Sequence, residues 1–452
     1  MSEVKDLVAR SRKAQEQFAF ATQEQADAAA KAICKVIFDN AEKLGPMAAE
    51  DTGMGDPDDK ISKCRNKSAL IWYDIKDKKT VGVIERNEEL RMLKVAKPMG
   101  VVASIIPATN PVVTPMSNAA FALKTRNSII FSPHPRAIKL TQLIVDMFRA
   151  ELKKLGLPED LVLGVEKASI EASAELMSEA DVIVATGGMA MVKAAYSSGK
   201  PAYGVGQGNV QCIVDDDVDL EDAAKKVIAG RAFDCGLICL GEQTVFVPNK
   251  KLDDFIAAME RNGAHLITDK KDVDAIRESL FPNHGPINRD VVGKTAIQIA
   301  DKLGLKVPAG TKVIAVKVDK IGKEEDLCRE KMAPIIAVKG YDTFEEGMNM
   351  VLTNLDFEGK GHSISIHSNN AKHVEYAGIM APVSRVVVNQ PSGTTGGGSP
   401  TNGFIPTTTL GCGSWGNNSF SGNFTYKLLM NATRVGYPFE KSYLPNVEDA
   451  FN

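Results

Sequence analysis

The sequence has no strong excess of charge of either sign. Its 452 residues contain 54 Lys and Arg against 57 Asp and Glu, which gives a formal net charge of −3 at pH 7. Acidic and basic residues are interspersed, and this favours neither a nucleic-acid-binding surface nor a polybasic membrane patch. The composition, 44% hydrophobic and 25% charged, is typical of a globular chain with enough apolar residues for more than one domain.

Long uninterrupted apolar segments are also missing. The longest apolar region, residues 99–116, contains Pro107, Pro111 and Pro115, so no transmembrane helix is expected there. The first eight residues are charged and amphipathic, unlike a signal peptide. We therefore predict a cytoplasmic protein without a membrane partner.

Cysteines are few, and their number is odd. Several of the seven lie within apolar patterns, which indicates reduced thiols in a cytoplasmic protein. Cys235 and Cys239 form a C-x3-C pair, but no second Cys/His pair has a spacing suited to a structural zinc site. No bound metal is predicted.

Apolar periodicity predicts an α/β fold. Residues 3–75 have helical patterns, and two apolar runs within 80–97 are typical of a hairpin. Strand and helix patterns then alternate from Val101 to Ser197, and the strands are continuously apolar, as in a parallel sheet covered on both faces. A second α/β rhythm follows. Its predicted strands are 244–248, 313–316, 335–338, 363–367 and 386–389, and its predicted helices are 251–262, 273–281 and 296–303.

One turn in the second half is suited to a nucleophile. Cys239 lies in a Gly-flanked turn between the helix pattern 220–230 and the strand pattern 244–248. Reactive groups are often placed on loops held by a rigid scaffold, and a thiolate attacks carbonyl carbons well. Position alone favours a small buried apolar residue for Cys239, and the rest of the chain favours the nucleophile.

Two glycine-rich loops have different contexts. Thr186-Gly187-Gly188 follows a strand pattern and opens a helix, where backbone amides attract phosphate; the alternative is a simple tight turn. The loop 204–208 leads into the strand pattern 210–214 rather than into a helix. We therefore do not interpret it as a dinucleotide phosphate loop.

Several motifs together resemble the aldehyde dehydrogenase superfamily along nearly the whole chain. The resemblance is closest to its CoA-acylating branch, and within it to CoA-dependent succinate-semialdehyde dehydrogenases. These motifs are PATNPVVTP (107–115), VATGG (184–188), PAYGVGQGN (201–209), the Cys239 turn, REKMAP (329–334), GHS (361–363) and TLGCGSWGN (409–417).

The resemblance implies a role for individual residues. Cys239 matches the nucleophile, and Asn110 matches the residue whose amide stabilises the oxyanion; a helix N-cap is the alternative for Asn110. A cofactor-binding role is implied for a larger set, NAD or NADP being the cofactor. Its members are Pro107, Thr109, Ser132, His134, Thr186, Gly187, Gly188, Gly206, Glu330 and Pro334. His134 stands near a slot where many relatives carry Lys, so the choice between NAD and NADP stays open.

One departure from the wider superfamily bears on the product. Hydrolytic relatives carry a Glu that activates water, and our alignment places Val205 there. Valine has no proton to exchange, so the acyl-enzyme is expected to wait for the thiol of coenzyme A. His362 is a candidate to deprotonate that thiol or to orient the site; a buried structural His is the alternative.

The resemblance implies reversible oxidation of an aldehyde to an acyl-CoA. Succinate semialdehyde is the expected substrate, with acetaldehyde or sulfoacetaldehyde as alternatives. Arg385, Ser392 and Thr394 are candidates to bind it, although Arg385 is equally compatible with a structural ion pair.

The resemblance also implies a domain organisation. We expect a Rossmann-type cofactor domain at 1–210, onto which segment 413–452 packs, an α/β catalytic domain at 211–412, and a hairpin at 80–97 that joins subunits into a homodimer or larger homo-oligomer.

Overall fold

The computed structural model describes residues 2–451, and its first 75 residues are helical as expected. Ser2 caps the first helix, and Thr22 and Gln25 form a capping box on the second. Asp56 caps the fourth, which has Pro57 at its first position. The helices are α1 (Glu3–Phe18), α2 (Gln23–Asp39), α3 (Ala41–Thr52) and α4 (Pro57–Ile75).

An antiparallel hairpin follows, formed by β1 (Gly82–Asn87) and β2 (Met92–Pro98). The chain then enters a five-stranded parallel sheet with the order β5-β4-β3-β6-β7. Strands β3 and β4 are fully buried, as expected for a sheet covered on both faces. The elements are β3 (Val101–Ile105), α5 (Val113–Lys124), β4 (Ser128–Ser132), α6 (Ile138–Lys154), β5 (Val162–Gly164), α7 (Ile170–Glu179), β6 (Val182–Thr186), α8 (Met189–Tyr196) and β7 (Ala202–Val205).

The second half forms a seven-stranded parallel sheet with the order β10-β11-β12-β9-β8-β13-β14. Its elements are β8 (Val210–Val214), α9 (Leu220–Ala232), β9 (Glu242–Pro248), α10 (Leu252–Arg261), β10 (Ala264–Ile267), α11 (Lys270–Leu280), α12 (Ala296–Leu303), β11 (Val313–Lys317), β12 (Ile335–Tyr341), α13 (Phe344–Phe357), β13 (Ile364–His367), α14 (Ala371–Met380), β14 (Val386–Val388) and α15 (Ser392–Thr395).

The last elements return to the first half. Strands β15 (Leu410–Cys412) and β16 (Ser421–Asn423) pair with each other, and β17 (Met430–Gly436) pairs with β2 to make a three-stranded antiparallel sheet. Phe424 and Leu429 are fully buried in the apolar core beside α2 and α5. The C-terminal segment therefore packs against the first half of the chain.

Some elements differ from the sequence expectation. Helix α5 begins at Val113, not at Pro115, because proline is tolerated in the first turn of a helix. Helix α13 was not predicted, and Gly347, its fourth residue, is unfavourable for a helix. There the glycine lets the helix approach Tyr341, since a Cβ on Gly347 would lie 2.9 Å from that ring. Within residues 2–451, no helix is both long enough and apolar enough to cross a bilayer.

Candidate active site

The candidate site lies where the two parallel sheets face each other. Loop 206–209 joins the carboxyl end of β7 to the amino end of β8, so these two sheet edges meet there. The predicted cofactor residues 107–109, 132–134 and 186–188 follow strands of the first sheet. Cys239, Glu330 and His362 instead precede β9, β12 and β13 of the second sheet.

The turn that carries Cys239 has an unusual backbone. Asp234 (φ 51°, ψ 43°) and Cys235 (φ 53°, ψ 36°) are left-handed, and Gly236 also has a positive φ of 70°. Such conformations cost energy for residues other than glycine, although Asp tolerates them better than Cys. The surroundings must therefore stabilise this turn, as is common at functional sites.

The Asp234 end of the turn is bound to the start of α4. Asp234 is fully buried, and its carboxylate accepts the backbone N–H of Asp56 at 2.9 Å. Its own N–H donates to the carboxylate of Asp59 at 2.7 Å. These two contacts hold the left-handed backbone from both sides.

The other end of the turn is held by Arg231, whose guanidinium is fully buried. It donates to the carbonyls of Gly236 at 2.7 Å and of Gly241 at 3.3 Å, one on each side of Cys239. It also donates to the carbonyl of Ala333 at 2.5 Å, in the loop that carries Glu330. Burial lowers the pKa of Arg231 to about 10, so the side chain stays protonated at neutral pH.

Glu330 lies beside the nucleophile turn in an environment that disfavours its charge. Its carboxylate accepts the N–H of Gly208 at 3.2 Å. Burial, and then the nearby carboxylate of Glu358, raise its pKa to about 8. Cys239 is half-buried, and burial followed by the proximity of Glu330 raises the pKa of its thiol to about 12.

His362 completes this cluster and has no internal hydrogen-bond partner. The residue is fully buried, and neither Nδ1 nor Nε2 is hydrogen-bonded within the described chain. A Cβ on Gly208 would lie 2.4 Å from the carbonyl oxygen of Cys239 and 3.1 Å from the His362 ring. Only glycine fits there, so the Cys239 carbonyl and the imidazole lie close to the same point of the loop. Burial, and then Arg385, hold the pKa of His362 well below 6.5, so the ring is neutral.

The loop between β6 and α8 has the features of a phosphate-binding turn. Gly188 caps α8 without any side-chain hydrogen bond, so the first amides of the helix lack a side-chain partner. A Cβ on Gly188 would meet nothing within 4 Å, and one on Gly187 would meet only Met191, at 3.9 Å. Open space before free helix amides fits the pyrophosphate of a dinucleotide.

The remaining predicted cofactor residues have mixed environments. Pro107 and Thr109 lie in the loop after β3, and Gly206 lies directly after β7. The hydroxyl of Ser132 is buried and hydrogen-bonded to that of Ser173 at 2.8 Å, so it already has a partner within the chain. His134 is half-buried, and its Nδ1 accepts the N–H of Arg136 at 3.1 Å.

Pro334, the last of the predicted cofactor residues, lies in the loop before β12. The carbonyl of Pro334 accepts the N–H of Ile314 at 2.9 Å, which places Pro334 at the beginning of the sheet.

Comparison with known proteins places this arrangement in a family. The model of the aldehyde dehydrogenase family matches residues 1–408. The chain belongs to the aldehyde dehydrogenase family. It is 50% identical to the acetylating succinate-semialdehyde dehydrogenase of Clostridium kluyveri over 446 residues, 99% of this chain and 98% of that protein.

Two solved structures extend the comparison. An acetylating aldehyde dehydrogenase from Geobacillus thermoglucosidasius matches with a TM-score of 0.94 and 35% identity over 97% of both chains. A propionaldehyde dehydrogenase from Rhodopseudomonas palustris, solved with bound CoA and an acylated cysteine, matches with a TM-score of 0.84 and 28% identity. That match covers 96% of this chain and 97% of the other. The resemblance read from the motifs, including its acylating branch, is confirmed.

In this aldehyde dehydrogenase, Arg385 is fully engaged by its own chain. Its guanidinium donates to Ser363 at 2.9 Å, to Asn423 at 3.2 Å, and to the carbonyls of His362 at 2.9 Å and Gly411 at 3.0 Å. These contacts favour the structural alternative for Arg385 over a substrate-binding role.

The other two substrate candidates, Ser392 and Thr394, both lie in the short helix α15. The Ser392 hydroxyl is buried without a partner, while that of Thr394 donates to the Pro391 carbonyl at 3.3 Å. Gly393 packs on the carbonyl of Gly230 in α9, so this segment lies against the base of the nucleophile turn.

Val205, which our alignment places where hydrolytic relatives carry a general base, is 3% exposed and belongs to the apolar core. Among the described residues, no group of three or more His, Cys, Asp or Glu is arranged to hold a metal ion.

The sequence did not point to Arg231 or Asp234, although both hold the nucleophile turn. The one available signal was that both residues come shortly before Cys239 in the sequence.

Proposed function

We propose that this chain is a CoA-acylating aldehyde dehydrogenase that interconverts succinate semialdehyde and succinyl-CoA with NAD or NADP. The observation that carries the proposal is the site itself: Cys239 lies beside His362, which has no internal partner, and no general base stands at position 205. The 50% identity to the acetylating succinate-semialdehyde dehydrogenase supports both the reaction and the substrate.

The first step is attack by the Cys239 thiolate on the aldehyde carbonyl. The carbonyl carbon gains a C–S bond, and its oxygen becomes the oxyanion of a thiohemiacetal. The side-chain amide of Asn110 and the backbone N–H of Cys239 donate to that oxygen. Removing one such donor typically costs about 10² to 10³ in rate.

The cofactor residues serve the second step. The amides that follow Gly187 and Gly188 would hold the pyrophosphate, and Glu330 would hold the nicotinamide ribose, with Thr186, Gly206, Pro107 and Thr109 lining the path between them. A bound nicotinamide would supply the hydride acceptor. Loss of hydride from the thiohemiacetal carbon leaves a thioester on Cys239. Ser132, His134 and Pro334 stay predictions for the adenosine and nicotinamide ends.

Release of the acyl group depends on a second thiol. The CoA sulfur attacks the thioester carbon, the C–S bond to Cys239 breaks, the acyl group leaves as acyl-CoA, and the proton of the CoA thiol ends on the released Cys239 sulfur. The neutral His362 ring orients the incoming thiol by a hydrogen bond. A pKa held well below 6.5 makes imidazolium costly, so orientation suits this residue better than proton removal. Water lacks a comparable activating group, because Val205 is apolar.

Trapping and product analysis test the proposal. The enzyme incubated with aldehyde and oxidised cofactor, but without CoA, is expected to gain the acyl mass on Cys239. Cys239→Ala should lose this label and all turnover while still binding cofactor. Cys412→Ala, which removes another buried thiol, should keep the label. Free carboxylate formed at full rate without CoA would contradict the proposal.

Substrate and cofactor preference are measured separately. The kcat/KM for succinyl-CoA is expected to exceed that for acetyl-CoA, with NADH and NADPH compared for each. A preference for acetyl-CoA or sulfoacetyl-CoA would replace the proposed substrate and leave the acylating mechanism intact.

We also propose that the enzyme works as a homo-oligomer in the reducing cytoplasm. The sheet β1-β2-β17 offers unpaired strand edges for contact between subunits, and all seven cysteines are free thiols. Light scattering that gives a monomer at micromolar concentration would contradict the oligomer.

A further inference from the structure

Helix α4 directs a row of lysines toward the active-site loops. Lys60, Lys63 and Lys67 share one helix face because they are three and four residues apart. Lys60 and Lys63 are only 3% and 8% exposed. Lys67 donates to the carbonyl of Gly397 at 2.8 Å. A lysine row on a helix usually faces water, so these contacts require an explanation.

Lys63 contacts both the nucleophile turn and the oxyanion loop. Its Nζ donates to Oδ2 of Asp234 at 2.5 Å and to Oδ1 of Asn110 at 2.7 Å. Lys60 donates to the same Asp234 carboxylate at 3.2 Å. Within residues 2–451 no hydrogen bond joins Lys60 to Asn110, so Lys63 alone of the two contacts the amide, although it also lies closer to the Asp234 carboxylate.

The contact with Asn110 fixes which way the amide points. An ammonium group has only donors, so it accepts no other orientation than Oδ1 toward Lys63. The Asn110 NH2 group is then turned away from Lys63 and is free to donate elsewhere. An ammonium bound to the amide oxygen also polarises the amide, which makes its N–H groups stronger donors.

We propose that Lys63 is a positioning residue that holds the Asn110 amide with its NH2 group toward the oxyanion and ties it to the turn carrying Cys239. This inference rests on the oxyanion role proposed for Asn110. Because Asp234 begins the left-handed turn, one ammonium sets the donor and the nucleophile relative to each other. Lys60 shares the charge interaction with Asp234 but has no part in orienting the amide.

A double-mutant cycle tests this role, with Lys60→Met as the matched control. The readout is the single-turnover burst of reduced cofactor. Lys63→Met is expected to slow the burst by about tenfold to a hundredfold, up to the loss caused by removing an oxyanion donor. Lys60→Met should slow it much less. In an Asn110→Ala background, Lys63→Met should slow the burst further by no more than Lys60→Met does.

A second readout separates positioning from general damage. The rate at which iodoacetamide alkylates Cys239 should change by a similar factor in Lys63→Met and Lys60→Met, because both lysines donate to the Asp234 carboxylate. If Lys63→Met fails to fold, Lys63→Gln, which keeps an N–H donor, takes its place in the cycle and should give a smaller loss.

Two outcomes overturn the inference: equal burst rates for the two lysine variants, or losses that add fully in the Asn110→Ala background. They differ from a failure of the proposed function, in which Asn110→Ala alone would keep the full burst rate.

Discussion

The thiol of Cys239 is expected to react slowly in the absence of cofactor, and Glu330 is expected to control its pH dependence. With a pKa of about 12, about one Cys239 in ten thousand is a thiolate at pH 8, against about one quarter for an ordinary thiol of pKa 8.5. The two thiolate fractions differ by about three orders of magnitude. The greater nucleophilicity of a more basic thiolate offsets about one and a half of these orders. Alkylation should therefore be about fiftyfold slower than that of a free cysteine.

Replacement of Glu330 by Gln should change this rate only at high pH. The pKa of Glu330 is raised to about 8, so the carboxyl is mostly neutral at pH 6.5 and mostly charged at pH 9.5. Only the charged form repels the Cys239 thiolate. Glu330→Gln should match the parent enzyme at pH 6.5 and react faster at pH 9.5.

The assay is iodoacetamide labelling of the apo-enzyme, followed by intact mass and peptide mapping, with Cys239→Ala to assign the site. Labelling at the rate of a free thiol at pH 7 would refute the burial argument. If the ratio of the Glu330→Gln labelling rate to the parent labelling rate were the same at all pH values, the assignment of the pH dependence to Glu330 would be refuted.

Three further predictions concern the nucleophile turn. Gly208→Ala should lower kcat strongly, since its Cβ would lie 2.4 Å from the Cys239 carbonyl; an unchanged kcat would show that the loop is free to move. Asp234→Ala should cost about 3–5 kcal/mol in urea unfolding, because it leaves two buried lysines without their carboxylate, and Asp234→Asn should keep activity better. Cys235→Asn should raise stability by up to about 1 kcal/mol, as Asn accepts a positive φ; a lower melting temperature would contradict this.

The sequence predicted the two parallel sheets well, because their strands are continuously apolar and separated by helical patterns. It predicted the Cys239 turn from the elements on either side. The sequence could not predict that the Cys239 turn, which lies at the amino ends of strands in the second sheet, meets the first sheet. Strand patterns carry no information on which edges of two sheets face each other. Nothing in the sequence distinguishes Glu330 from a surface acid, because its buried environment arises only where the two sheets meet.

Other features were out of reach for physical reasons. Strand β17 is mostly exposed, and its apolar–polar alternation is confined to its first four residues, which is too short to distinguish a strand from a loop. The row formed by Lys60, Lys63 and Lys67 has the spacing of a solvated helix face, and only tertiary structure shows that loops cover it. Two of the four partners of Arg385 are backbone carbonyls, which no side-chain pattern records.

The pairing of β17 with β2 has a consequence for biosynthesis. Strand β2 is translated early, whereas its partner, Met430–Gly436, is translated after both parallel sheets. During that interval the nascent chain presents a hairpin with an open hydrogen-bonding edge, which favours mispairing with neighbouring polypeptides. Chaperone dependence during synthesis should therefore fall when this strand is supplied early, as in a circular permutant that begins at residue 430.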